Sequence, residues 1–96
     1  MDTKSYSVLN EGFSSNLECV FTWINNSKIN EFIWHKDGKP INITELNVEL
    51  TLRGRFLYFK NLSHIIHNGV YRCDIELVTG QVVKSSNSVN LLVSCK

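Results

Sequence analysis

No apolar run in the 96-residue chain approaches the ~18 residues that a helix needs to cross a bilayer. The opening Met1-Asp2-Thr3-Lys4-Ser5 lacks the apolar stretch of a secretory leader, so Met1 reads as an expression start and the parent protein as larger. Charge of one sign is equally scarce, and the formal net charge is +1. That balance excludes a protein built to neutralise nucleic-acid phosphates, and the interspersed signs leave no polybasic patch for a lipid surface. No nucleic-acid partner is expected, and a membrane is expected only through a parent segment outside this chain. Cys-x-x-Cys and zinc-finger spacings are missing, which removes redox and structural-zinc readings. A Gly-x-Ser-x-Gly elbow and a phosphate-cradling glycine loop are also missing, and no Ser, His and acid groups are spaced to act together. The expectation is therefore no enzyme, no cofactor and no metal. His64 and His67 lack a third ligand at matching spacing and read as surface-turn histidines. No segment carries a helical stripe, although Asn61 to His67 has room for one short turn.

What the chain does have is alternation. Hydrophobic residues make up 43% and aromatics 10%, a globular composition at the length of one domain. Leu17, Cys19 and Phe21 fall on one face of a strand, as do Phe32 and Trp34, Leu57 and Phe59, then Tyr71, Cys73, Ile75 and Leu77, and finally Val89, Leu91 and Val93. Turn clusters separate these runs at Asn25-Asn26-Ser27, Asp37-Gly38-Lys39-Pro40, Arg53-Gly54-Arg55 and Thr79-Gly80. Many short strands with frequent turns predict an all-β sandwich or barrel. Near Ser85-Ser86 two readings stay open: Val83 and Val89 keep one parity through an unbroken strand, or a β-bulge interrupts it.

Spacing narrows the class. Trp34 follows Cys19 by fifteen residues, and Cys73 follows Trp34 by thirty-nine within Gly69-Val70-Tyr71-Arg72-Cys73. From about residue 7 to residue 93 the chain resembles an immunoglobulin-superfamily domain, with Cys on strand B, Trp on strand C and Tyr-x-Cys on strand F. The run Trp34-His35-Lys36-Asp37-Gly38-Lys39-Pro40, together with Glu11-Gly12 and Gly80, looks like the I-set class or a close C2-like variant. The resemblance implies a two-sheet antiparallel Greek-key sandwich of seven or eight strands. Residues 1–6 would lead in, 7–94 form the single domain, and 95–96 begin a linker or stalk. It also implies a Cys19–Cys73 disulfide beneath Trp34, worth roughly 4 kcal/mol for a loop of about 54 residues, and a Tyr71 hydroxyl bonded to backbone at the E–F corner. One position departs from the family. The acidic residue usual four before the tyrosine is His67 here, which leaves Arg53 and Arg55 without that carboxylate.

Strand parity then places the candidate sites. With Trp34, Tyr71 and Cys73 inward, Ile33, His35, Arg72, Asp74, Glu76 and Lys84 face outward, a mixed apolar and charged surface suited to a protein interface. Phe56, Tyr58 and Lys60 form a rival patch on the opposite sheet. Three sequons, at Asn25, Asn42 and Asn61, lie in predicted loops or strand ends where a glycan would be solvated. Cys95 is left over after one pairing and is a candidate thiol for a covalent partner or homodimer. By analogy with the family, the expected role is an extracellular recognition module of a cell-surface receptor, with a protein ligand or counter-receptor as partner. An intracellular muscle or cytoskeletal module, or a secreted binding protein, is the alternative.

Overall fold

The computed structural model describes residues 3–85 and 87–94, so Cys95 lies outside the described residues. Among the described residues nine short strands form: β1 (Thr3–Asn10), β2 (Ser15–Glu18), β3 (Ile29–Lys36), β4 (Lys39–Pro40), β5 (Val48–Thr51), β6 (Phe56–Phe59), β7 (Gly69–Leu77), β8 (Val82–Val83) and β9 (Asn87–Ser94). One sheet runs β1-β9-β7-β3-β4 with β8 also on β7, and the facing sheet runs β2-β6-β5. Pairing is antiparallel except between β1 and β9, which run parallel from Thr3↔Asn87 to Asn10↔Ser94. The chain changes sheets at the turn after β1, where the Glu11 N–H donates to the Ser94 carbonyl and the Gly12 N–H to the Leu62 carbonyl.

The alternating residues fill the space between the sheets. Cys19, Phe32, Trp34, Leu57, Phe59, Tyr71, Cys73, Ile75, Leu91 and Val93 are all buried in one cluster. Cys19 and Cys73 are disulfide-bonded with Cα atoms 5.9 Å apart, joining the two sheets. Trp34 stands directly opposite Cys73 on the β3–β7 ladder. Its indole N–H donates to the Gly54 carbonyl at 2.6 Å, which satisfies the polar edge of a buried ring. That bond draws the Arg53-Gly54-Arg55 turn onto β3 so closely that a Cβ on Gly54, whose φ is +95°, would lie 2.7 Å from the Phe32 carbonyl oxygen. Only glycine fits there. At the other end, the Tyr71 hydroxyl donates to the His67 carbonyl at 2.8 Å, and burial pushes the phenol far above its ordinary range.

Nine strands stand where seven or eight are expected, because β8 and β9 are one interrupted strand along β7, and three further details differ from the sequence reading. His67 is not a surface histidine; it is fully buried, with its ring edge-on to Phe59. Its Nδ1 accepts from the Ser63 N–H at 2.9 Å and its Nε2 faces the Leu46 carbonyl at 2.7 Å, an arrangement that requires the neutral Nε2–H tautomer. The second concerns Arg55, expected to lack the corner carboxylate. It takes Glu18 from β2 instead, at 2.7 Å and 3.0 Å. Finally, a single helical turn, α1 (Ile43–Leu46), precedes β5. Asn42 caps it by accepting from the Thr44 and Glu45 N–H groups, and Asn47 closes it in the left-handed region. Neither reading of the Ser85-Ser86 region holds whole: the strand is interrupted, yet its parity is kept. The β7 ladder pairs Ile75 with Val83 but Tyr71 with Val89, a register shift of two residues. An even shift breaks the strand into β8 and β9 yet preserves the parity of Val83 and Val89.

Candidate functional site

The outward face of β3, β7 and β8 gathers the sequence-predicted residues in three cross-strand rungs. Glu31 pairs with Glu76, Ile33 with Asp74, and His35 with Arg72. Val82 stands opposite Glu76 on β8, on the same face, and Lys84 is exposed just beyond it. Ile33, His35, Arg72 and Glu76 are each partly buried.

Asp74 departs from the expected exposed role. It points away from the core yet retains only 2% of its exposure. The register shift between β8 and β9 explains this. Where the regular ladder lapses, the Asp74 carboxylate takes the place of a strand carbonyl and accepts from the Ser85 N–H at 3.1 Å. The Arg72 guanidinium closes over it, with Nε at 3.2 Å and Nη2 at 3.3 Å, and His35 Nδ1 stands 3.6 Å from its second oxygen. Asp74 is thus an internal anchor that holds Arg72 in place rather than a contact residue, while the buried His35 Nδ1 lies near it without a hydrogen bond. Fixing a guanidinium this way lowers the conformational entropy lost when a partner binds.

Around that anchor the face has two separate apolar side chains, Ile33 beside Asp74 and half-exposed Val82 beside Glu76, with cationic groups at Arg72 and Lys84 and an acidic pair at Glu31 and Glu76. Two carboxylates on directly opposed positions repel. Here Asn30 donates to Glu76 Oε1 at 3.0 Å and absorbs part of that repulsion. Sequence parity reached Ile33, His35, Arg72, Glu76 and Lys84; the same parity would have included Glu31 and Val82.

The rival patch behaves differently. Phe56 and Tyr58 are partly buried, Phe56 beneath the Arg55 guanidinium, which sits 5.7 Å from the ring centre, and Lys60 is paired with Glu49 at 3.0 Å. The three sequon asparagines are all exposed. Asn25 and Asn42 each use Oδ1 to cap a turn, Asn25 accepting from the Ser27 N–H at 3.0 Å, while Asn61 precedes buried Leu62. His64 binds Glu11 with both its N–H and its ring, and these bonds hold the Glu11 carboxyl below its usual range. Among the described residues no group of three or more His, Cys, Asp or Glu gathers. A feature that alternation could not reveal is Trp23, 72% exposed in the loop between β2 and β3.

No family model matches the chain. Over 68 residues, 71% of this chain, the sequence is 34% identical to Hemicentin-1 of Homo sapiens, of which that stretch is 1%. Among solved structures, tandem Ig repeats of Dlar match 96% of the chain with a TM-score of 0.75 at 23% identity, the chain covering 45% of that structure. The titin M3 domain matches 96% with a TM-score of 0.69 at 20% identity, and the chain covers 90% of it. The chain therefore spans a small part of the curated relative and under half of the Dlar repeats. At these identities the structural likenesses carry the fold alone.

Proposed function

This chain is an immunoglobulin-superfamily domain, and we propose that it serves as an extracellular protein-recognition module, binding a protein ligand or counter-receptor through the outward face of β3, β7 and β8. The observation that carries the reading is the buried Asp74, which holds the Arg72 guanidinium on the outward face next to His35 and Ile33. A solvated sheet face needs no such internal scaffold; a binding face gains specificity from one. The Cys19–Cys73 bond fits an oxidising compartment, and three exposed sequon asparagines fit passage through a secretory route. Cys95, just past β9, would offer a covalent link to a second chain or to the next segment.

The test uses the chain secreted from mammalian cells, displayed as a multimer and screened against an array of ectodomains that includes a second copy of itself. The expected result is a partner whose binding weakens by about thirtyfold or more in Lys84→Glu and in Ile33→Asp, since a hot-spot contact is worth at least about 2 kcal/mol. Partner binding unchanged by both substitutions would move the site off this face. A second reading draws on the near-complete match to the titin M3 domain: a spacer in an intracellular array, with both cysteines reduced. Non-reducing mass spectrometry of the chain taken from its native compartment separates the two, because free thiols at 19 and 73 belong to the spacer alone.

A further inference from the structure

Trp23 is the most exposed aromatic side chain in the loop between β2 and β3. Among the described residues its one ring neighbour is Phe21, with centroids 6.2 Å apart and planes tilted by 58°. Leaving an indole in water forfeits one of the largest burial gains any side chain offers. Two residues on lies Asn25, the acceptor of the Asn25-Asn26-Ser27 sequon. Ile24 between them packs against the core, while Trp23 and Asn25 are both exposed. Asn25 Oδ1 accepts from the Ser27 N–H, and Nδ2 is left on the opposite side of the amide for attachment.

We propose that an N-linked glycan on Asn25 lays its first N-acetylglucosamine ring against the exposed indole of Trp23, so that the ligand of this aromatic is a sugar carried by the same chain. The inference rests on the secretory reading above and deepens it. In the attachment step the Asn25 Nδ2–C1 bond forms as the C1–O bond to a lipid-linked diphosphate donor breaks. The diphosphate keeps the electron pair, and the amide nitrogen releases one proton. A pyranose presents a face of C–H groups, and its acetamide adds a methyl; both are apolar and suit the electron-rich face of an indole. Cα atoms two residues apart are at most about 7 Å from one another whatever the backbone conformation, which puts the first sugar within reach of the indole. The other sequons lack the partner. The residue two before Asn42 is Pro40, and the residue two before Asn61 is Phe59, which is buried at 1%.

The experiment compares four proteins secreted from mammalian cells and trimmed enzymatically to a single N-acetylglucosamine: wild type, Ser27→Ala, Trp23→Ala and the double variant. Ser27→Ala removes the sequon but keeps the backbone N–H that Asn25 caps. The expected result is an occupied Asn25 whose acetyl methyl resonance is shifted upfield by the indole ring current. The melting midpoint should fall when the sugar is removed from wild type, and that fall should vanish in the Trp23→Ala background. A methyl resonance at the free-sugar position, with the same midpoint difference in both backgrounds, overturns the stacking while leaving glycosylation intact. An Asn25 found unoccupied by mass spectrometry also overturns it, and occupancy at Asn42 and Asn61 then reports separately on the secretory reading.

Discussion

His67 shows how a single residue can replace a familiar interaction without imitating it. A carboxylate at this corner could accept from the Ser63 N–H as the imidazole does, but it could not donate to the Leu46 carbonyl. The arginine that such a carboxylate would want is already held by Glu18. His67→Asp is therefore expected to destabilise the domain by about 2–4 kcal/mol, because it buries an unpaired charge opposite a carbonyl oxygen. His67→Gln, which carries both a donor and an acceptor, should lose less than His67→Asp. Urea titration of the three proteins at pH 7 checks the order, and an Asp variant as stable as wild type would mean that the Leu46 bond contributes nothing. The sequence showed that the residue was unusual. It did not show that it was buried, since burial depends on Leu46 arriving from α1, and the signal for that turn, Asn42 three residues before Glu45, is a helix cap easily passed over as part of a sequon.

At the level of elements, the turn between β3 and β4 is fastened to the start of β7 through Asp37. Its N–H donates to the Val70 carbonyl at 2.8 Å, and its Oδ1 accepts from the Val70 N–H at 3.0 Å. The carboxylate sits so close to Gly69 that a Cβ there would come within 2.9 Å of Oδ2. The Val70 N–H, and then the Lys36 ammonium, hold the Asp37 carboxyl below its usual range. A lowered carboxyl stabilises the fold above the unfolded value near ~3.9, and that contribution disappears as pH falls through the lower folded value. Asp37→Asn keeps an oxygen for Val70 but nothing to titrate. Wild type should accordingly exceed Asp37→Asn in urea midpoint at pH 7, and the two should converge below about pH 3. A gap that persists at low pH would assign the effect to shape rather than charge. Elements were legible wherever period-two alternation ran into a fixed mark, as at Cys19, Trp34, Tyr71 and Cys73. Asp74 was not, because the two-residue register shift that buries it leaves strand parity untouched and so writes nothing into the hydrophobic pattern.

For the molecule as a whole, the decisive quantity is how much stability the Cys19–Cys73 bond adds to a small core. A domain of this length has about 5–14 kcal/mol to lose, and closing a loop of 54 residues between the two cysteines contributes roughly 4 kcal/mol in the chain-entropy model. The buried cluster is otherwise well satisfied: Trp34 and Tyr71 each place their polar atom on a backbone carbonyl. Reduction should therefore leave the native topology accessible but thinly populated on heating. The expected outcome is a melting midpoint lower by about 15–30 °C in reductant, with the same loss in Cys19→Ala/Cys73→Ala, whose buried sulfurs are replaced by smaller methyl groups. Far-ultraviolet circular dichroism at 20 °C should stay β-type in both if the core alone suffices. A midpoint shift of only a few degrees would show a fold that does not depend on its bridge, as a module living in a reducing compartment requires, and it would favour the spacer reading over recognition outside the cell.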